Sequence, residues 1–444
     1  MRMQLNQSKN SVSKSRFAEK LALAATALVG TAIHAQENDA EWDFSASAFA
    51  YSEIDRVSAA ELIFTGEKDF SDTSNFSFKV VLDSLTGASA NGAIAQATPQ
   101  TFTRVSANGQ YAIAAFETPT DNNYRDTRAQ VNVSWTDALT EDTRYTVGSN
   151  LSKEIDYLSF GVSGELAKDF DRRNTTLSAG VSLGVDRFAP LGNVPLAFAS
   201  MVVDNGQFAS NAEFQTAFDA TRTTESETIN TAELLLGWTQ VVNRRMLFQF
   251  NYGFANISGY LTDPYKILSL VDNSGISQDY IYENRPDSKQ QHSVFGLMKY
   301  HLDESIFDVS YRYVSNDWDI QSHTIDTHWR FFSDNGSFWE PHVRFYQQSA
   351  AEFYTPFLSQ AQLSLPAPGP EFASADYRIG DLTAYTIGLK YGFQLEDGDR
   401  AEVRLEYYKQ TPNDANRPSG IANLENIDLY PEVDAVILQF NYFF

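Results

Sequence analysis

The chain has 444 residues, with 33 Lys and Arg against 57 Asp and Glu, and it contains no cysteine. The acidic balance excludes a nucleic-acid partner, which needs a basic face. The missing cysteine excludes thiol chemistry, haem attachment and disulfide staples.

Arg2, Lys9, Lys14, Arg16 and Lys20 precede the apolar run Leu21 to Gly30, and small residues ending at Ala35 offer a cleavage site before Gln36. Residues 1–35 are therefore expected to be a cleaved signal peptide, and residues 36–444 a single domain. Cleavage removes five basic and one acidic residue, leaving 28 basic against 56 acidic. Beyond it no apolar run reaches the length of a transmembrane helix. An exported, acidic chain rich in Tyr and Phe is then a soluble periplasmic protein or an outer-membrane barrel.

The first strands are expected at 42–53, 58–66 and 75–83. In the third, Phe76, Phe78, Val80 and Leu82 point one way, while Asn75, Ser77, Lys79 and Asp83 point the other. This period of two marks a strand with one apolar and one wet face. Similar segments follow at 125–136, 143–152, 155–166, 174–187, 227–240, 244–256, 288–301, 305–316, 319–331, 336–348, 378–394, 399–409 and 433–444. They predict a transmembrane antiparallel β-barrel of about 16 strands, an even number as bacterial barrels have.

The connections sort themselves. With a periplasmic amino terminus, the long ones (84–124, 188–226, 257–287, 349–377 and 410–432) all fall on the extracellular side, and every periplasmic turn is short. Outer-membrane barrels show this asymmetry. From Ser84 to Phe116 the only charged residue is Arg104. A loop this long and uncharged either folds across the barrel mouth, with Arg104 at a constriction, or packs on its neighbours. Asp263-Pro264 reads as the start of a short helix, with Asp as N-cap. The outer loops are acidic, Asp279, Glu283, Asp287, Glu371, Asp376 and Glu425 among them. They are expected to form a negative rim that attracts cations or divalent ions bridging lipopolysaccharide.

Asp334-Asn335-Gly336 and Glu396-Asp397-Gly398 suit three-residue hairpin turns closed by a left-handed glycine. Their register places Trp329, Phe331, Trp339 and Phe393 outside, as an interfacial aromatic girdle. It places Asp326, His328, Arg330, Glu340, His342, Arg344, Lys390, Glu402, Arg404 and Glu406 inside, as pore-lining residues. His328 and His342 face each other there, but two imidazoles without a third designed ligand do not define a metal site. No metal, cofactor or catalytic residue is assigned, since no nucleophile–base motif occurs. The terminal segment 434–444 alternates Val436, Leu438, Phe440, Tyr442 and Phe444 against a polar face. It is expected to close the barrel against the first strand and to be read by the barrel-assembly machinery.

Asp83 to Ala93 together with Gln100-Thr-Phe-Thr-Arg104, Ser152 to Asp156 and Lys168 to Thr176 resemble a proteobacterial outer-membrane family catalogued as domain of unknown function thirty-five seventy. The likeness runs from about residue 40 to the carboxyl end. Val105-Ser106-Ala107-Asn108-Gly109 departs from the Pro-Ser-Gly-like turn usual there. The resemblance implies an exported barrel and no particular activity. From the residues themselves, a passive channel or transport protein for small solutes in the Gram-negative outer membrane is expected, with loop 84–124 capping the pore. The alternative is a closed barrel acting as a scaffold. An outer-membrane hydrolase is disfavoured.

Overall fold

Period-two segments, each with one apolar face, cannot bury that face within a single hairpin, and here they join into one closed sheet. The computed structural model describes residues 42–444 apart from 55, 72, 364–368, 396–397, 414–420, 426 and 430–431. The expected signal peptide and the turn residues Glu396 and Asp397 lie outside the described residues.

In chain order the strands begin with β1 (Trp42–Glu53), β2 (Val57–Asp69) and β3 (Asn75–Ala90), then two short ones, β4 (Gln100–Thr103) and β5 (Gln110–Ile113). Next come β6 (Thr120–Thr140), β7 (Thr143–Lys153), β8 (Tyr157–Phe170), β9 (Thr175–Phe188), β10 (Glu227–Asn243) and β11 (Met246–Gly259). Short β12 (Ile267–Val271) and β13 (Ser277–Tyr282) precede β14 (Ser288–His301), β15 (Ser305–Asn316), β16 (Gln321–Phe332) and β17 (Phe338–Gln348). Short β18 (Phe357–Ser359) is followed by β19 (Leu382–Gln394), β20 (Arg400–Pro412) and β21 (Val433–Phe443).

The sixteen long strands among the described residues form a closed barrel, each beside its sequence neighbour, with β21 pairing back onto β1. All sixteen segments expected from alternation are present. Their outward side chains are exposed and apolar, for example Leu177, Val181, Leu183 and Val185 on β9, and Tyr385, Ile387 and Leu389 on β19. A belt of this kind is stable only against lipid or another apolar surface. Trp329, Phe331 and Trp339 lie on the same face, near the short turns.

The 333–337 hairpin has the expected register, with Phe331 opposite Trp339 and Gly336 at φ +78°. In the next hairpin Phe393 faces Ala401 and Tyr391 faces Val403, with Gly398 at φ +93°. At the seam β1 and β21 pair from Ser45↔Phe443 to Glu53↔Ala435. Ala46 and Ala48 stand opposite Tyr442 and Phe440, small against large on the outer face. Gln439 and Asn441 point inward, where Gln439 accepts from Arg404 and Asn441 donates to Glu402.

The described parts of the long connections 91–119, 189–226, 260–287, 349–381 and 413–432 emerge at one end and pack on one another. β12 pairs antiparallel with β13 and parallel with β18, and β4 pairs with β5. Around this framework Ala93, Phe102 and Ile113 pack on Met201, Ile267 and Tyr282. Ile94 and Ala95 pack on Val271, Leu424 and Ile427. These contacts join loops rooted on different sides of the barrel, so of the two arrangements its composition allowed, loop 84–124 shows packing on its neighbours.

Two expectations need correction. Asp263 caps a turn, not a helix: its carboxylate accepts from the Tyr265 N–H at 3.0 Å. The chain then enters β12, where Ile267, Leu268 and Val271 gain a buried strand position that a helix would not give. The longest helix among the described residues of this end is α1 (Asn211–Asp219), with Ser210 as N-cap and Glu213 reaching back to the Ala209 N–H. The acidic rim is also not uniformly solvated, since Glu283 and Asp376 are buried.

Candidate functional site

On the inner wall, alternation puts charges from β16, β17, β19 and β20 side by side. Nearest the short turns, Glu340 accepts from Arg330 at 2.6 Å and lies 2.8 Å from Lys390 Nζ. Arg400 stands 3.5 Å from Glu402. Higher up, Asp326, His328, His342, Arg344, Arg404 and Glu406 line a lumen cavity of about 700 Å³. His342 Nδ1 lies 2.7 Å from Glu406 and its Nε2 3.3 Å from Asp326. Arg344 approaches Asp326 at 3.9 Å, and Arg404 approaches Glu406 at 3.7 Å. The residues expected to line the pore thus share one face, but most of their charge is paired, so the lumen field is weaker than their number suggests.

A second cavity, of about 350 Å³, lies in the cap and is lined by Asn91, Thr103, Arg104, Tyr111, Asp121 and Lys266 among others. Arg104 sits at the β4–β5 turn, where its N–H donates to Gly109 O at 2.9 Å and Ala107 takes up φ +56°. Its guanidinium is 3.5 Å from Asp121, on the wall of this outer cavity. Arg104 does not line the lumen cavity. The two cavities share Tyr51, Glu53, Tyr377 and Arg378 as a common wall.

That wall is held by a buried ion network which the sequence reading did not single out. Asp376 accepts from Arg285 at 2.8 Å and from Arg378 at 2.6 Å. Arg378 also reaches Asp263 at 2.5 Å, and Arg285 reaches Glu283 at 2.6 Å. Buried Lys266 donates to the Ala90 carbonyl. Burial alone would raise the Asp376 carboxyl, but Lys266, Arg378 and Arg285 override it and hold it well below the usual carboxylate range. Burial pulls Lys266 down, against the opposing pull of Asp376 and Asp263. The Tyr377 ring lies between the guanidinium of Arg56, 5.2 Å from its centroid, and the ammonium of Lys266, at 5.7 Å. The signal for this wall was present in the sequence as two acid-x-Arg pairs in long loops, Glu283-x-Arg285 and Asp376-x-Arg378.

A family model described as "Protein of unknown function (DUF3570)" matches residues 18–444. No curated protein matches the chain. Among solved structures, the chain is similar to a bacterial polysaccharide outer membrane secretin (11% identity, TM-score 0.41, covering 92% of this chain and 99% of that one). It is also similar to the outer membrane protein opdK from Pseudomonas aeruginosa (9% identity, TM-score 0.39, covering 91% and 98%). A mutant of the ferric enterobactin receptor PfeA from Pseudomonas aeruginosa aligns at 9% identity and TM-score 0.42. That alignment takes in 91% of this chain but 60% of the receptor.

Proposed function

Since the chain belongs to this family of proteins of unknown function, we propose from its own geometry that it is an exported outer-membrane barrel that conducts small solutes, closed at its extracellular end by the loop cap. A sixteen-stranded barrel is too wide for side chains alone to fill, so its lumen is either open or stoppered by its own loops. The observation that carries this reading is the shared wall. The outer cavity, lined by Arg104 and Asp121, and the lumen cavity have Tyr51, Glu53, Tyr377 and Arg378 in common, so a solute passing from one to the other would cross these residues. Tyr51 and Glu53 belong to β1, whereas Tyr377 and Arg378 belong to the 349–381 connection and are held there by ion pairs, so this loop half of the wall is able to move without breaking the sheet.

The test is solute efflux from liposomes containing the purified barrel, with residues 92–118 either intact or replaced by a short Gly-Ser turn. We expect slow efflux from the intact protein and fast, size-limited efflux from the shortened one. Efflux at the lipid background from both, with the barrel folded, would sink the channel reading and leave the closed scaffold.

A further inference from the structure

We infer that Asp326, His328 and His342 form a binding site for a divalent transition-metal ion of the Zn²⁺ or Co²⁺ kind on the lumen wall, with Glu406 holding His342 in place. The inference is independent of whether the pore conducts.

The site is built by register. Asp308, His328, His342, Gly388 and Glu406 form one lateral row across five neighbouring strands, β15, β16, β17, β19 and β20. Asp326 is two residues from His328 on the same face of β16. One of its carboxylate oxygens, Oδ1, lies 3.3 Å from His328 Nδ1 and 3.3 Å from His342 Nε2. One donor atom from each of the three residues lies within 4.8 Å of the others. Tetrahedral Zn²⁺ with bonds of about 2.0–2.1 Å holds its ligand atoms about 3.3 Å apart. Asp308 adds a carboxylate 3.3 Å from the same His328 nitrogen. Asp326, which the sequence register places beside the two facing histidines, is thus brought within donor distance of both.

The surroundings of His342 point the same way. Its residue is 8% exposed, yet Nε2 makes no well-formed hydrogen bond, its neighbour Asp326 Oδ1 standing 3.3 Å away. Its other nitrogen, Nδ1, is 2.7 Å from Glu406 Oε1. A carboxylate that accepts from one imidazole nitrogen fixes the tautomer and presents the lone pair of the other, as in carboxylate–histidine–metal arrangements. Glu406 reaches across β19 only because position 388 is glycine: a Cβ there would stand 2.5 Å from Glu406 Cγ and 2.9 Å from its Oε1. The two imidazole rings are parallel, with centroids 4.3 Å apart, which suits neutral rings better than two cations. Three carboxylates (Asp308, Asp326, Glu406) against two guanidiniums (Arg344, Arg404) leave a negative balance for a dication. Nitrogen donors favour a borderline metal over Mg²⁺ or Ca²⁺.

The competing state is metal-free, with His342 protonated and clamped between Asp326 and Glu406. The experiment uses untagged full-length barrel in detergent, stripped with chelator and titrated with Zn²⁺ by calorimetry and with Co²⁺ by visible absorption. We expect one ion per chain, Co²⁺ ligand-field bands, and no competition from Mg²⁺. His328→Ala should abolish the bands. Glu406→Gln and Gly388→Ala should weaken binding about 10- to 100-fold, the range for a ligand-orienting carboxylate. Each variant is checked for the gel shift between unheated and boiled samples that marks a folded barrel. Half-exposed His328 is the safe position should His342 variants fail to fold. No Co²⁺ bands in the folded wild type, or bands that survive in folded His328→Ala, would overturn the assignment.

Discussion

Asp376 is the residue on which the cap wall depends most, because one buried carboxylate serves Arg285 and Arg378 together. Asp376→Asn removes one partner of buried Arg285, which keeps Glu283, and one of half-exposed Arg378, which keeps Asp263, so the loss should fall below about 3–5 kcal/mol, the figure for a fully broken buried pair. We expect hydrogen exchange to quicken across 91–119 and 260–287 while the barrel strands keep their protection. Protection unchanged in those loops would mean that the network is ornamental. The pH dependence has two arms. The depressed Asp376 contributes stability that is fully present above the ordinary carboxylate value and is lost as pH falls below it, towards the depressed folded value. Asp156, in the β7–β8 turn, is pushed up to about 6, first by burial and then by Asp126 and Asp263, against opposing pulls from its own turn and Lys153. A raised carboxyl contributes stability at low pH that is lost as pH rises through its folded value. The cap should therefore resist proteolysis best near the ordinary carboxylate value of about 4 and loosen as pH rises from there through about 6. Asp156→Asn should flatten that slope. A wild-type cap equally resistant at both ends, after correction for protease activity, would contradict this account.

At the scale of elements, the barrel was legible and the cap was not. Phe76 to Leu82, or Val436 to Phe444, must put every second side chain on one face, and the short-turn hairpins fix register through glycines at positive φ. Residues such as Arg330 and Glu340 could be paired from the turn alone. Cap contacts such as Ile94 on Leu424, or Phe102 on Tyr280, join segments far apart in sequence with no periodicity to announce them. Two local signals were nonetheless readable: Ser210-x-x-Glu213, a capping box opening α1, and the paired acid-x-Arg motifs of the wall. Asp263-Pro264 misled because a turn and a helix start share the same cap, and β12 then pairs with β13. Two tests belong here. Gly336→Ala, at φ +78°, should cost about 1–2 kcal/mol of barrel stability, read from urea unfolding. Removing Asn441 to Phe444 deletes the pairs Ser47↔Asn441, Ala46↔Tyr442 and Ser45↔Phe443 at the seam. The folded, heat-sensitive gel band should then disappear. A normal yield of that band would show that β21 closes the barrel without its aromatic end.

The whole molecule is a wide barrel with a paired-charge lumen under loops whose Tyr377 and Arg378 complete, with Tyr51 and Glu53 of β1, the wall between the two cavities. In the proposed function the barrel supplies the path, and the cap decides whether it is open. The lumen charges are mutually paired, so opening the wall should raise conductance far more than it changes ion selectivity. Single-channel recording of the wild type beside the Tyr377→Ala/Arg378→Ala variant in planar bilayers tests this most directly. We expect a mostly closed wild type with brief openings, and a variant that conducts steadily with weak selectivity between cations and anions. A folded double variant as silent as the wild type would contradict a conduit gated at this wall.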